Sequence, residues 1–495
     1  MSDKVAIFSI FLYLLFLIDN CECSLKPPSV SDNLLETFGS LVGKQGAKWL
    51  CFFFGMCALA SKPPTTRSGD PLVPLFEWSQ VEYEYDSAAD RQRDIDSGFF
   101  IPGVPAIIDV DVYYAPDKTN NVFVTIPRFQ LGSPATLGEV TFDTYRGNYL
   151  IRPFPSWSWH RNPRQCRRNR IVSVYRVQID ECGRLWVLDT GRFGDDLVCP
   201  PQILAFDLKT KELLIRYEIP RNQYELRSIF VTPIVDVRNS CQNTFVYAAD
   251  CQTFSLVVYD VNRNQSWKIT DKTMYPYPNF GTYSILGDTF DLMDGILGVS
   301  ISPYIAGFDR ILYYHAMSSG TENWVYTSDI RNQSRFITPD SSPEIFHTYK
   351  GQRWTQSGAE AVDRNGIMYF GLMSDVTFDC WDTSSEYGPR NIKVISNNKT
   401  TLQFASGVKV IQNTKGDQEL FVLTSRFQKV ATGTMSTNEI NFRILAAKID
   451  DNILKRCKTY SSFPQEFGPS IGNGFGLRPK PPGFFPFRSG TNNES

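Results

Sequence analysis

Histidine is scarce in this chain. Only His160, His315 and His347 occur among 495 residues, and no HExxH, GxSxG or P-loop pattern accompanies them. A histidine-rich metal site and a Ser-His-Asp triad are therefore not expected, and neither metal nor cofactor is assigned. His315 lies where it either reaches a central channel or is a satisfied buried histidine. Excess charge is also missing: 50 basic residues face 52 acidic ones, so a nucleic-acid partner is not expected. None of the eleven cysteines forms a CxxC pair, which removes zinc-ribbon and thioredoxin readings. The apolar runs at 5–18 and 49–60 are too short for a comfortable membrane span.

What is present points to the secretory pathway. Residues 1–60 read as a leader with two hydrophobic segments, the second ending in the cleavage pattern Ala58-Leu59-Ala60. The mature protein is expected to begin near Ser61 and to be extracellular. Seven cysteines lie beyond the leader, enough for two or three disulfides and a leftover thiol. The disulfide candidates are Cys166, Cys182, Cys199, Cys241, Cys380 and Cys457. Sequons at Asn264, Asn332, Asn398 and Asn493 would accept glycans in that compartment.

Aromatic residues make up 14% of the chain, and with the recurrent Val and Ile they favour strands. The segment "IDECGRLWVLDTG" (179–191) has a looser copy, "AVDRNGIMYFGLM" (361–373), each with the look of a β-hairpin. Four more such segments make six. Their central large residues are Phe123, Trp186, Phe245, Leu312, Met368 and Phe421, spaced 63, 59, 67, 56 and 53 apart. A second submotif, a bulky residue followed by Asp, trails most copies: Phe142-Asp143, Phe206-Asp207, Tyr259-Asp260, Ile449-Asp450 and, loosely, Ser328-Asp329. The fifth unit lacks it. Apolar hairpins at a steady period of about sixty residues predict an all-β, six-bladed β-propeller. Residues 101–460 form the ring, 61–100 a lead-in with a strand and a helix, and 461–495 a flexible Pro/Gly-rich tail. An unrelated array of β-sandwiches is the alternative.

Arg-Phe follows the second strand in three units: Arg128-Phe129, Arg192-Phe193 and Arg426-Phe427. These units become neighbours when the ring closes. Three arginines at one rim would bind a carboxylate; the competing reading is that each pins its blade to a neighbour.

The segments "VFVTIPRFQLGSPATLGEV" (122–140), "YRVQIDECGRLWVLDTG" (175–191), "CPPQILAFDL" (199–208), "DGILGVSISP" (294–303) and "QSGAEAVDRNGIMYFGLM" (356–373) resemble the Yellow/major royal jelly protein family of insects. The likeness runs from about Phe76 to Lys448. It implies a secreted propeller and a role in pigmentation, with some relatives converting dopachrome, some binding biogenic amines and some serving as food protein. Cys251 stands where the resemblance leads one to expect another residue, which makes it the odd thiol; the double leader also departs from the family. An enzyme of this kind needs a proton acceptor, for which Asp189 or Glu360 are candidates, and an anion holder among Arg128, Arg192 and Arg426. A binding protein for a catecholamine or indole derivative would instead use Thr424, Asn441 and Phe442. A calcium-dependent lactonase also uses six blades, but the motifs favour the Yellow-like reading.

Overall fold

The computed structural model describes residues 70–115 and 120–459. The expectations for the leader, for Asn493 and for the tail beyond residue 459 lie outside them.

Each repeated segment is the inner hairpin of a sheet of four antiparallel strands, with its central residue on the second strand; the first sheet adds a short fifth strand, Glu82–Tyr83, parallel to Asn148–Pro153. The "IDECGRLW" hairpin shows why the pattern recurs. Asp180 accepts from the amides of Cys182 and Arg184, both at 3.0 Å, and from the Trp186 indole at 2.8 Å. Gly183 takes φ +70°, which a side chain would strain. In the second copy Asp363 accepts from Asn365 and Ile367 amides at 2.8 and 2.9 Å, and Gly366 has φ +76°. The conserved-looking words are therefore an aspartate-capped turn followed by an apolar strand.

Blade 1 runs Asp109–Tyr114, Asn120–Thr125, Leu137–Tyr145 and Asn148–Pro153; blade 2 runs Val174–Ile179, Arg184–Asp189, Gln202–Asp207 and Leu213–Glu218. Blades 3, 4 and 5 start from the inner strands Phe230–Val237, Ile296–Ile301 and Ser357–Val362. Blade 6 takes Ala405–Gln412, Gln418–Thr424 and Phe442–Lys448 from the end of the chain and its outer strand, Val73–Trp78, from the beginning. The strand expected in the lead-in is thus part of the ring. Its pairing, with Trp78 opposite Phe442, joins the two ends of the described chain.

Burial follows position within a blade. Arg184–Asp189 is buried at every residue because both faces of a second strand are covered by neighbouring blades, whereas outer Leu213–Glu218 is largely accessible. The bulky-Asp submotif ends the third strand in blades 2 and 3 and lies in the turn beyond it in blade 6, while in blade 1 Phe142-Asp143 falls within the third strand at an irregularity in its pairing. Blade 5 does carry a copy at the end of its third strand, Trp381-Asp382, with Trp381 fully buried.

Three disulfides form: Cys166–Cys199, Cys182–Cys241 and Cys380–Cys457. The second links corresponding turns of blades 2 and 3. The third ties the helix Asp451–Cys457 to blade 5. Among the described residues Cys251 is the free thiol, and it is buried. No helix among the described residues is long and apolar enough to cross a membrane.

A candidate site in the acid-lined channel

The innermost strand of every blade is a sheet edge with unpaired backbone groups, and polar side chains answer them. Asp109 and Asp111 of blade 1 accept from the amides of Val177 and Ile179 in blade 2, at 3.1 and 2.8 Å. Gln178 in turn accepts from the Val235 amide of blade 3 at 2.8 Å. Alternation along "DVDV" therefore sends both carboxylates to the channel side.

Between these strands lies a cavity of about 760 Å³. Its wall carries five carboxylates, those of Asp109, Asp111, Asp180, Glu181 and Glu360, against two cations, Arg176 and Lys409. Arg176 reaches across the ring. Its guanidinium donates to Thr232 Oγ1 at 3.0 Å, Leu297 O at 3.1 Å and Ser406 O at 2.6 Å, so blades 2, 3, 4 and 6 meet at one side chain. Lys409 donates to Val177 O at 2.8 Å and lies 3.1 Å from Asp109. Burial pushes the Asp111 carboxyl up to about 7, with the Lys409 charge pulling the other way.

Glu360 belongs to this wall and accepts from Ser300 Oγ at 2.8 Å. Behind it stands His315, 1% exposed, with Nδ1 2.9 Å from Glu360 Oε2 and 3.0 Å from Glu322 Oε2. The ring lies so close to the inner strand that a Cβ on Gly298 would come within 2.2 Å of it. Arg353, also buried, is 3.3 Å from Glu322 and donates to the Tyr387 hydroxyl at 2.8 Å. Burial and the Arg353 charge push the His315 pKa down, but Glu322 and Glu360 together leave it above its ordinary value. Burial, and then Glu360, push Glu322 up.

Elsewhere on the ring, the hairpin of Thr282–Ile285 and Asp288–Asp291, which follows blade 3, meets the helix Phe427–Ala431, which follows the second strand of blade 6. Lys429 pairs with Asp288 at 2.9 Å and Phe290 lies 6.2 Å from Phe427. Phe129 and Tyr175 continue the aromatic cluster.

Of the residues singled out by sequence, Glu360 is the one on the cavity wall. Asp189 is fully buried and accepts from Val172, Ser173 and Gly191 amides and from Gln202, at 2.8–3.1 Å; burial raises its pKa. Arg128 is 1% exposed, and its guanidinium donates to the carbonyls of Ser133, Pro134, His160, Ile171 and Val172. Burial lowers its pKa to about 10. Arg192 donates to Leu226 O at 2.5 Å and to Asp195 O. Arg426 pairs with Glu439 at 2.5 Å. The three Arg-Phe segments do adjoin, with Phe129 5.8 Å from Phe427 and Gly194 N donating to Arg128 O at 2.9 Å, yet the Arg128 guanidinium is spent on carbonyls and Arg426 on Glu439, while Arg192 keeps a buried Nε without a hydrogen-bond partner. Thr424 donates to Thr401 O, Asn441 to Ser79 O and Ser436 O, all at 2.7 Å, and Phe442 packs in the core between blades 6 and 1. Asn264, Asn332 and Asn398 are exposed.

The sequence leaves His315 either reaching the channel or buried and satisfied; its partners Glu322 and Arg353 escape sequence reasoning because they come from separate loops. Asp109 and Asp111 left a faint signal, two acids alternating with valine at the start of an inner strand.

A closed six-bladed propeller around a polar, acid-rich channel is the class of protein these features define. The family model described as major royal jelly protein matches residues 172–457. Major royal jelly protein 9 of Apis mellifera is 34% identical over 427 residues, covering 83% of this chain and 96% of the relative. Dopaminechrome tautomerase of Drosophila melanogaster is 31% identical over 392 residues, covering 78% and 83%. Protein yellow of Drosophila subobscura is 28% identical over 401 residues, covering 80% and 68%. The chain belongs to the major royal jelly protein family.

Proposed function

We propose that this is a secreted tautomerase of aminochromes that lack a carboxylate, dopaminechrome being the type, acting in melanin-forming pigmentation. The observation that carries the reading is the charge of the channel wall, five carboxylates against two cations. Such a wall repels an anionic substrate and accepts a neutral or cationic aromatic one. A relative named dopaminechrome tautomerase, similar over most of both chains, agrees with it. Disulfides and exposed sequons suit an oxidising, extracellular setting.

The reaction moves two protons in turn, one from each saturated ring carbon to the two quinone oxygens, and needs no co-reactant. In the first transfer a base takes a proton from a saturated carbon of the five-membered ring, the C–H electron pair becomes a ring double bond, and one quinone oxygen gains a proton. Asp111 is the base in this scheme. Its carboxyl, raised to about 7 by burial, exchanges protons near neutral pH. The charged groups acting on it are Lys409 and Asp109, and the amides of Val112 and Ile179 hold it in place. Lys409 and Arg176 stand on the same wall to favour the developing phenolate.

Purified protein mixed with dopaminechrome is expected to speed loss of its visible absorbance, with kcat/KM rising as pH passes through about 7. Absence of turnover in folded protein overturns the enzyme reading. The same acidic wall then favours the second reading, a carrier of protonated biogenic amines, which calorimetry with dopamine would register as binding without conversion.

A further inference from the structure

We propose that His315, Glu322 and Glu360 together hold one divalent first-row transition-metal ion between blades 4 and 5, against the channel wall. Three ligand-type atoms, one from each residue, converge within 4.8 Å of one another, and all three side chains are at least nine-tenths buried.

The orientation of the imidazole is the first reason. His315 Nε2 faces the carbonyls of Ser357 and Gly358 at 3.2 and 3.1 Å. Carbonyls only accept, so Nε2 carries the hydrogen in the neutral ring and Nδ1 presents its lone pair to the two carboxylates. A ligating histidine is held in this way, by a hydrogen bond from its other nitrogen.

The second reason is that a proton cannot serve the cluster. With Arg353 counted, two carboxylates leave one negative charge uncompensated. A proton on Nδ1 would offset it but points in one direction. It serves Glu322 Oε2, while Glu360 Oε2, 2.9 Å from the same nitrogen, has no hydrogen-bond donor. Glu322 Oε1 and the hydroxyls of Thr321 and Ser357 are likewise buried without a partner. Buried orphans of this kind call for an ion or ordered water. A cation attracts in all directions and satisfies the three ligand atoms at once.

Distances agree. Bonds of about 2.1 Å to adjacent ligands put those ligands about 3.0 Å apart in octahedral geometry, and the Nδ1 separations are 3.0 and 2.9 Å. One imidazole nitrogen with two carboxylate oxygens suits Mn²⁺, Fe²⁺ or Zn²⁺ better than the all-oxygen preference of Ca²⁺ or Mg²⁺. The Arg353 guanidinium, 3.3 Å from Glu322 Oε2, sits beside the cluster and limits the site to these three protein ligands. Glu360 connects the site to the cavity through its second oxygen, which accepts from Ser300.

The test begins with protein secreted in metal-supplemented medium and purified without a histidine tag. Elemental analysis is expected to give close to one equivalent of Mn, Fe or Zn per chain. After chelation, Zn²⁺ or Mn²⁺ added alone is expected to bind one-to-one by calorimetry and to raise Tm. Glu322→Gln and His315→Gln should each weaken binding by at least tenfold. Should a variant not fold, Co²⁺ added to wild-type apoprotein decides: weak visible bands of nitrogen and oxygen ligation support the site, and an intense sulfur charge-transfer band assigns the metal to Cys251 and overturns it. Wild type without metal that neither ion titrates also overturns it, as does undiminished affinity in both folded variants.

Discussion

Two sets of buried charges, one at blades 1 and 2 and the other at blades 4 and 5, behave differently. Around Arg128 and Asp189, donors and acceptors balance: five carbonyls take the guanidinium, and three amides and a carboxamide serve the carboxylate. Around Glu360, acceptors outnumber donors, and carboxylate oxygens of Glu322 and Glu360 have no hydrogen-bond partner. A satisfied buried charge holds backbone in place; an unsatisfied one has capacity left for something else. Arg128, one of the arginines that looked like an anion site, belongs to the first kind. Asp109 and Glu360 of the channel wall, each with one carboxylate oxygen lacking a hydrogen-bond partner, belong to the second.

Mutation should separate the two sets. Asp111→Asn has the largest expected effect, a loss of about 10²–10⁴ in kcat for the aminochrome with the fold retained, checked by steady-state kinetics alongside circular dichroism. Arg128→Met should strand several buried carbonyls and cost at least about 3 kcal/mol of stability in chemical denaturation, with little effect on kcat in whatever folds. A pH series sharpens the contrast. Asp111 has a folded pKa of about 7, above its unfolded value, so its contribution to stability is fully present at acidic pH and lost as pH rises through about 7. Replacing it with Asn should flatten the fall of Tm between pH 4 and 8. The smallest effect belongs to Cys251. Buried, with its thiol pKa pushed up by burial, it should resist alkylation in the native protein and react only after unfolding.

Most of the ring could be read from sequence because the blades repeat one local pattern, two apolar strands joined by a polar turn, which is capped by an aspartate in blades 2 and 5 and by Asn413 in blade 6. Two features escaped. Ring closure uses Val73–Trp78, which precedes the first copy and carries no hairpin signal. The submotif of blade 5, Trp381-Asp382, stands at the end of the third strand beside Cys380, which is bonded to Cys457. The site was less legible. Glu360 could be picked out only as one of two candidate proton acceptors, and the structure places it, and not Asp189, on the cavity wall. Nothing in the order of residues tells that Arg128 will be consumed by carbonyls from three loops, or that His315 will meet carboxylates 7 and 45 positions away. Those facts arise only when strands of different blades converge.

The proposed selectivity is tested most directly by comparing kcat/KM for two aminochromes that differ only in a carboxylate. The acid-lined channel predicts that the carboxylate-free compound is favoured by about tenfold or more, equivalent to about 1.4 kcal/mol of discrimination. Equal rates, or a preference for the carboxylate-bearing compound, would contradict it.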